Sequence, residues 1–479
     1  MNYKVILHTL GSVLNIEAAC MALPAICALC YKDTESFIIY LLSALLCLIV
    51  GVALSLIKPK RTTMYSKEGF VTVALAWIII SLFGAVPFFV SGYIPNFIDA
   101  FFETVSGFTT TGASILTDVE ALPRAHLFWR SFTHWIGGMG VLVFLVALLP
   151  LSGGSNVHLL RAESTGPSVS KLVPKIRSSA KILYLIYMGL TLIEIILLYL
   201  DGIGAFSAIT LAFGTAGTGG FGVLNTSIAD YSPYVQITIT VFMTLFGIDF
   251  TIYYLILTRR MRDALRSDEY KVYLGIILVS ALIISINCRQ LFPDFGTSLR
   301  HGFFQTASII TTTGYSTVNF DLWPALSKTI LVALMFIGAC AGSTGGGIKV
   351  SRILILLKSI RKEIKIAAHP NSTHKISMNG KTIESETVRT VSVYIAVFLV
   401  LFAVSMLIIS LDNYDFTTNF TAVAATINNI GPGLGLVGPA ENFSMFSALS
   451  KIVLSLDMLI GRLEIFPILM LVSPYTWKR

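Results

Sequence analysis

Apolar residues in this chain gather into long runs, and the lengths of those runs predict its elements. Runs over 3–30, 36–57, 69–92, 124–150, 179–201, 232–258, 272–292, 325–357, 388–411 and 446–473 each reach the roughly 20 residues a helix needs to cross a hydrocarbon core. They predict ten spanning helices, the eighth interrupted. The first run passes into the second without a small-residue cleavage site, which predicts a retained helix rather than a signal peptide. Four further segments, 93–109, 204–216, 296–311 and 417–428, are half apolar and too short to span. Such segments have to enter as half-helices and return as loops. Non-helical backbone at that depth is tolerated only inside protein or against a wet cavity, so the four loops have to meet around one axis.

Each half-helix runs into a short polar motif. The motifs read Thr110-Thr111-Gly112-Ala113, Gly217-Thr218-Gly219-Gly220, Thr312-Thr313-Gly314-Tyr315 and Asn429-Ile430-Gly431-Pro432. Taking Gly112, Gly219, Gly314 and Gly431 as equivalent, successive copies lie 107, 95 and 117 residues apart. Repetition at that spacing implies one supersecondary unit used four times. The fold class is therefore an all-α membrane protein with an N-terminal two-helix hairpin over residues 1–60. Four pseudo-symmetric membrane–pore–membrane repeats follow over 61–158, 159–265, 266–370 and 371–479, with re-entrant loops around one pore. Glycine permits the backbone angles that turn successive carbonyls toward an axis, and carbonyls so arranged replace the hydration shell of a cation. Thr110, Thr111, Thr218, Thr312 and Thr313 would add hydroxyl acceptors or brace the strands. Half-helix C-termini pointing inward carry about −0.5 elementary charge each, which favours a cation. No ring of Lys or Arg accompanies the motifs, which disfavours an anion pore.

Composition agrees with the membrane reading. Mean hydropathy is +0.79, with 55% hydrophobic and 13% charged residues, outside the range of soluble domains. The net charge of +8 raises the possibility of nucleic acid, but its distribution argues against that partner. Cations cluster in alternate loops, at Lys58, Lys60, Arg61 and Lys67, at Arg161, Lys171, Lys175, Arg177 and Lys181, at Arg259, Arg260, Arg262 and Arg266, and from Lys349 to Lys365. The intervening loops carry mainly acids, among them Asp99, Glu103, Asp118, Glu120 and Glu441. This positive-inside asymmetry places the basic loops, both termini and the terminal Lys478-Arg479 in the cytoplasm, and the motif-bearing loops outside. The polar linkers 151–178 and 359–387 read as surface elements, so a soluble regulator has to come from another chain. The six cysteines all lie in apolar stretches and read as small buried hydrophobes rather than redox or metal groups.

The segments SGFTTTGAS (106–114), GTAGTGGFG (214–222), SIITTTGYS (308–316) and INNIGPGLG (427–435) closely resemble the Trk/Ktr/HKT superfamily of potassium transporters. The resemblance runs from about residue 66 to the end, is strengthened by GACAGSTGGGIK (338–349) and GRLEIFP (461–467), and in its N-terminal hairpin is similar to the TrkH/TrkG branch. It implies potassium as the transported ion, no organic cofactor in the chain, a bacterial inner-membrane location, homodimers with one pore per protomer, and a cytosolic TrkA-type nucleotide-binding ring. Its filter would comprise Thr110, Thr111, Gly112, Gly217, Thr218, Gly219, Thr312, Thr313, Gly314, Asn429, Ile430 and Gly431. Relatives that favour sodium often carry Ser at the first filter glycine, where this chain has Gly112. The second and fourth copies depart from the Thr-rich pattern, so the symmetry is imperfect.

Two features suggest control below the filter. Gly342, Ser343, Thr344, Gly345, Gly346 and Gly347 interrupt the eighth span; the freed backbone groups require a wet or proteinaceous environment. Read alone, the stretch is a passive kink or a close-packing site; the resemblance implies a gate. Lys349 lines the exit or snorkels to the interface. Arg462 lies in the last span near Asp457 and Glu464, either projecting into the pore or pairing with a carboxylate such as Glu464. Arg130 and His134 read as interfacial or paired, and Asp249 as packed or paired. Two nucleotide-motif readings fail: GGGIKVS lacks the Gly-Lys-[Ser/Thr] ending of a P-loop, and no βαβ unit surrounds Gly217–Gly222. A gated potassium-uptake channel is the leading expectation, and a symporter coupled to H⁺ or Na⁺ is the alternative. No nucleophile–base pair or metal-ligand spacing supports an enzyme.

Overall fold

Apart from one two-residue hairpin, Ser377–Met378 paired with Lys381–Thr382, the described secondary structure is helical. The computed structural model describes residues 1–59, 64–140, 176–370 and 374–477. The expected linker 151–178 up to residue 175, the end of the 124–150 run, the repeat boundary at 158, Lys60, Arg61, Arg161, Lys171, Lys175 and Lys478-Arg479 lie outside the described residues.

The hairpin consists of α1 (Tyr3–Cys20), α2 (Ala22–Cys30) and α3 (Thr34–Ser55). Asp33 caps α3 by accepting from the Ser36 amide at 3.0 Å. Small residues let α1 and α3 approach backbone to backbone, as membrane helices require where water supplies no hydrophobic drive. A Cβ added to Gly11 would lie 2.5 Å from the Ser55 nitrogen.

The first repeat contains α4 (Ser66–Val90), the short α5 (Phe97–Phe108) and α6 (Arg124–Gly138). The second contains α7 (Ile176–Leu200), the short α8 (Ala205–Gly217), α9 (Pro233–Phe246), α10 (Phe250–Leu257) and a brief α11 (Met261–Leu265). The third contains α12 (Asp268–Asn287), the short α13 (Phe295–Ile310), α14 (Ala325–Ile337) and α15 (Val350–Ala368). The fourth contains α16 (Ser385–Ile409), the short α17 (Phe416–Ile427), α18 (Ala448–Arg462) and α19 (Phe466–Val472). Local chemistry sets these starts: Asn96, Asp294 and Asp415 cap three short helices, and Ser232 and Ser447 cap α9 and α18, each satisfying an orphan amide.

Among the described residues, six helices are long and apolar enough to cross a membrane, and a seventh counts if α9 and α10 form one span. The expected continuous helix over 232–258 instead bends by 90° between α9 and α10. The bend has a cause: the Gly247 carbonyl accepts from the Cys340 amide at 3.0 Å, and the Phe250 amide donates to the Gly342 carbonyl at 3.1 Å. Asp249 then caps α10 through the Thr251 amide at 2.8 Å. The last run breaks likewise, where Glu464 and Ile465 adopt φ of 57° and 72°. Interruption was expected only in the eighth run. In the described residues it recurs, and at the first of these breaks the segment after α14 docks through Cys340 and Gly342.

Large apolar side chains such as Leu42, Ile49, Leu192, Leu399 and Leu407 face outward, whereas Thr110, Thr111, Thr218, Thr312, Thr313 and Asn429 are buried. That is the polarity of a lipid-facing bundle with a polar axis. Gly11→Val is expected to separate α1 from α3 and to cost about 1–3 kcal/mol of overpacking strain. A lowered melting temperature of the purified protein in detergent checks this; an unchanged value would show that the hairpin adjusts freely.

Candidate functional site

The four short helices end in the same way. In the first repeat the Thr110 amide donates to Gly107 O at 3.1 Å and the Thr111 amide to Ser106 O at 2.9 Å. The matching pairs are Thr218 to Thr215 and Gly219 to Gly214, then Thr312 to Ile309 and Thr313 to Ser308, then Asn429 to Thr426 and Ile430 to Ala425. These are helix C-caps closed by a left-handed residue. Here that residue is not glycine: Thr110, Thr218, Thr312 and Asn429 have φ of 55°, 55°, 59° and 56°.

Two residues further on, the backbone turns left-handed again at Gly112, Gly220, Gly314 and Gly431, with φ of 80°, 79°, 84° and 97°. The second copy is thus one residue out of the register read from the sequence, and its equivalent glycine is Gly220, not Gly219. The Gly-Gly step made either choice possible; the left-handed Thr218 two residues earlier decides it. Gly219 instead occupies the position of Thr111, Thr313 and Ile430.

These glycines close a ring. A Cβ on Gly112 would strike the Gly219 carbonyl oxygen, one on Gly220 that of Thr313, one on Gly314 that of Ile430, and one on Gly431 that of Thr111. The repeats therefore follow one another cyclically, each glycine packed on the carbonyl preceding the next repeat's glycine. A cavity opens over the ring, lined by Gly112, Gly220, Gly314 and Gly431 together with Glu441.

The side chains of the motif divide in role. Thr111 and Thr313 bond to Thr109 and Thr311 at 2.8 Å each, bracing their own strands. In the second repeat Gly217 and Gly219 remove this brace, and Thr218 turns its hydroxyl onto the Gly217 carbonyl at 2.6 Å. Asn429 donates both to Thr111 Oγ1 at 2.9 Å and to Met458 O at 2.8 Å, so the fourth repeat braces the first.

A further shell ties adjacent repeats. Arg130 pairs with Glu103 at 2.8 Å, both buried, and lies over the Phe221 ring at 3.9 Å. Glu103 also accepts from Ser114 Oγ at 3.0 Å and the Ile115 amide at 2.9 Å. His134 Nδ1 donates to Gly107 O at 2.8 Å while Nε2 accepts from the Phe221 amide at 3.3 Å, which sets its tautomer. The Tyr315 hydroxyl reaches Leu211 O and Phe221 O at 3.1 and 3.3 Å. Glu103 is the residue of this shell that sequence reasoning left among the loop acids.

Beneath the ring lies the segment joining α14 to α15. Gly342 and Gly347 both have φ of 77°, and Gly338 and Lys349 have φ of 76°. The Gly346 amide donates to Thr312 Oγ1 at 2.6 Å; a Cβ there would lie 2.5 Å from Asn428 O, and one on Gly345 would lie 2.8 Å from Thr311 O. Ser343 Oγ donates to Cys340 O at 2.6 Å, and Lys349 Nζ donates to Gly345 O. Arg462 donates to Thr344 O at 2.7 Å, to Gly138 O at 2.8 Å and to Gly137 O. Its neighbour Glu464 pairs with Arg352, and Asp457 accepts from Ser405 Oγ at 2.7 Å. The sequence gives no signal for one important partner: Glu269 Oε1 accepts from the amides of Ala341 and Ser351 at 2.8 and 2.9 Å, holding both ends of the segment. Among the described residues no group of three or more His, Cys, Asp or Glu is placed to hold a metal ion.

Breaking a buried ion pair by removing one partner costs about 3–5 kcal/mol, more than removing both. Arg130→Gln is therefore expected to lower the melting temperature further than the double change Glu103→Gln/Arg130→Gln. Thermal unfolding of the single and double variants in detergent checks this; a double variant as unstable as the sum of the singles would count against the pair.

The chain matches the TrkH family, described as cation transport proteins, over residues 36–282 and 291–478. It is 35% identical over 494 residues to the Trk system potassium uptake protein TrkH of Salmonella typhimurium, covering 100% of both chains. It is 32% identical over 480 residues to the Trk system potassium uptake protein TrkG of Escherichia coli, covering 99% of each. The crystal structure of the potassium transporter TrkH from Vibrio parahaemolyticus superposes with a TM-score of 0.90 at 32% identity, covering 100% of both chains. With the four-cornered ring and these similarities together, the chain belongs to the TrkH family of cation transport proteins.

Proposed function

We propose that the protein is a potassium-uptake channel of the bacterial inner membrane, conducting K⁺ inward through the ring of Gly112, Gly220, Gly314 and Gly431. The observation that carries the reading is the closed cycle of glycine against carbonyl. In it the Thr111, Gly219, Thr313 and Ile430 oxygens each lie within 2.8 Å of where a Cβ on the adjacent repeat's glycine would sit. The four converging helix C-termini add negative potential for a cation. Similarity to proteins named for potassium uptake supports K⁺ as the ion. An inside-negative potential favours its entry by about 2.3 kcal/mol per charge per 100 mV.

In this reading the Gly342–Gly347 segment is the gate. It closes the path under the ring through Thr312, with Lys349 and Arg462 holding it and their charges opposing cations below. The basic loops and both termini face the cytoplasm, where a TrkA-type nucleotide-binding ring would act on a homodimer. Asp249, Asp457 and Glu464 each serve a different partner, so they form no continuous carboxylate path of the kind that coupling to H⁺ requires.

Purified protein in liposomes is expected to pass ⁸⁶Rb⁺ without an imposed gradient of H⁺ or Na⁺; obligatory dependence on either would replace the channel by a symporter. Gly220→Ser is expected to lower the K⁺/Na⁺ permeability ratio about tenfold, and Gly112→Ser likewise, given a left-handed strain of roughly 1–2 kcal/mol besides the clash with Thr313. Bi-ionic potentials measure this, and an unchanged ratio would return the second repeat to the Gly219 register.

A further inference from the structure

The described molecule has a second pocket, far along the chain from the ring, of about 450 Å³. It lies where α15, the β-hairpin and the start of α16 come together. The cations Lys362, Lys375 and Arg389 line it together with His374, against Glu384 as the lining acid. Such a surplus of cations in a concave site is itself an electrostatic preference for an anion.

The walls are built rather than accidental. The hairpin turns at Asn379-Gly380, both left-handed with φ of 53° and 75°, as its tight two-residue connection requires. Asp268, at the start of α12, anchors that turn: its amide donates to Asn379 Oδ1 at 2.7 Å and its carboxylate accepts from the Asn379 amide at 3.2 Å. Lys358 closes the other side, donating to Asp268 at 3.0 Å and to Ser377 O at 2.8 Å. These two charges satisfy each other and leave the pocket cations uncompensated. Lys375 and Arg389 have neither hydrogen bond nor ion pair among the described residues, and the ion pair of Lys362 is a 3.9 Å approach to adjacent Glu363.

We propose that this pocket binds a phosphate group, and that the phosphate is carried by the headgroup of an anionic membrane lipid. The size suits a phosphate ester and the donor set suits its oxygens. The surroundings favour the lipid. Immediately beyond Ser385 the chain becomes an apolar helix of spanning length. On α15, Leu357, Ile360 and Ile364 form one exposed apolar stripe beside Lys358, Arg361, Lys362 and Lys365. That arrangement lies flat in a membrane interface, apolar face toward the acyl chains and cations at the headgroups. A soluble phosphate would need the basic cluster but not the apolar stripe. The site is separate from the ring, and its occupancy is independent of which ion the ring passes.

The full chain in neutral detergent is titrated with phosphatidylglycerol, with phosphatidylcholine as the uncharged control, and binding is read by native mass spectrometry. Lys375→Gln/Arg389→Gln is expected to weaken phosphatidylglycerol binding about thirtyfold, the loss for two interfacial cations. Arg259→Gln/Arg262→Gln removes the same charge from exposed positions just after α10 and in α11, outside both the pocket and the α15 stripe, and is expected to cost less than threefold. A parallel titration with inorganic phosphate and ATP in the absence of lipid separates the sources. Saturable binding of either that is lost in the Lys375/Arg389 variant keeps the phosphate site and makes its ligand soluble. Equal losses in both double variants, or no loss in either with no phosphate binding, overturn the site.

Discussion

Everything near the axis depends on four strands packed so closely that their glycines touch the carbonyls of the next repeat. No Cβ fits at Gly112, Gly220, Gly314 or Gly431, and each is left-handed as well. The two demands have one origin. A strand that turns its carbonyls toward an axis must reverse the twist of the helix before it, and four strands packed this closely leave room for backbone alone at the corners of the ring. Reversal begins two residues earlier, at Thr110, Thr218, Thr312 and Asn429. There a left-handed residue with a side chain carries a cost, on the order of 1–2 kcal/mol each, that the surrounding bonds have to offset.

Besides the braces within single strands, many of those offsets run between repeats. Asn429 bonds to Thr111, Tyr315 to Leu211 and Phe221, and His134 to Gly107 and Phe221. Arg130 spans from Glu103 to the Phe221 ring. Lipid offers no alternative partners for backbone groups, so each repeat supplies the donors and acceptors that its neighbour's loop lacks. An isolated repeat would leave these groups bare, which is why a fourfold arrangement can persist although only two of its quarters keep the paired threonines. The degenerate quarters survive because they are braced from outside.

Much of the architecture was legible in the sequence, and what was missed has a common cause. Hydropathy located the six long helices and the half-helices to within a few residues, since lipid exposure writes itself into composition. The four motifs and the glycine segment after α14 also stood out, since a break in an apolar run is a local signal. The register of the second motif did not, because Gly219-Gly220 offers two glycines and only the left-handed Thr218 distinguishes them. The 90° bend at Gly247–Asp249 and the grip of Glu269 on Ala341 and Ser351 were likewise hidden. Both depend on partners some 70 to 100 residues away, and no periodicity encodes such contacts. The pairing of Glu464 with Arg352 instead of Arg462 belongs to the same class.

The segment under the ring shows how such long-range contacts become a mechanical constraint. Its amides and carbonyls have no helix of their own to satisfy them. They are held by Thr312 from above, Glu269 at both ends, Arg462 and Lys349 on the carbonyls, and the broken helix at Gly247 and Phe250 from the side. Moving any part of it exposes buried polar groups at roughly 1–3 kcal/mol apiece. Small displacements are therefore unfavourable, and a displaced state is stable only where water replaces most of these bonds together. In the proposed gating role, a loop held in this way would have two arrangements rather than a continuum. Since Arg462 also grips the end of α6, and Phe250 begins the bent half of the second repeat, the second arrangement has to involve those helices as well. In the proposed gating role, a force applied from the basic face would thus reach the ring through the broken helices, without any contact of its own with the four glycine-bearing strands.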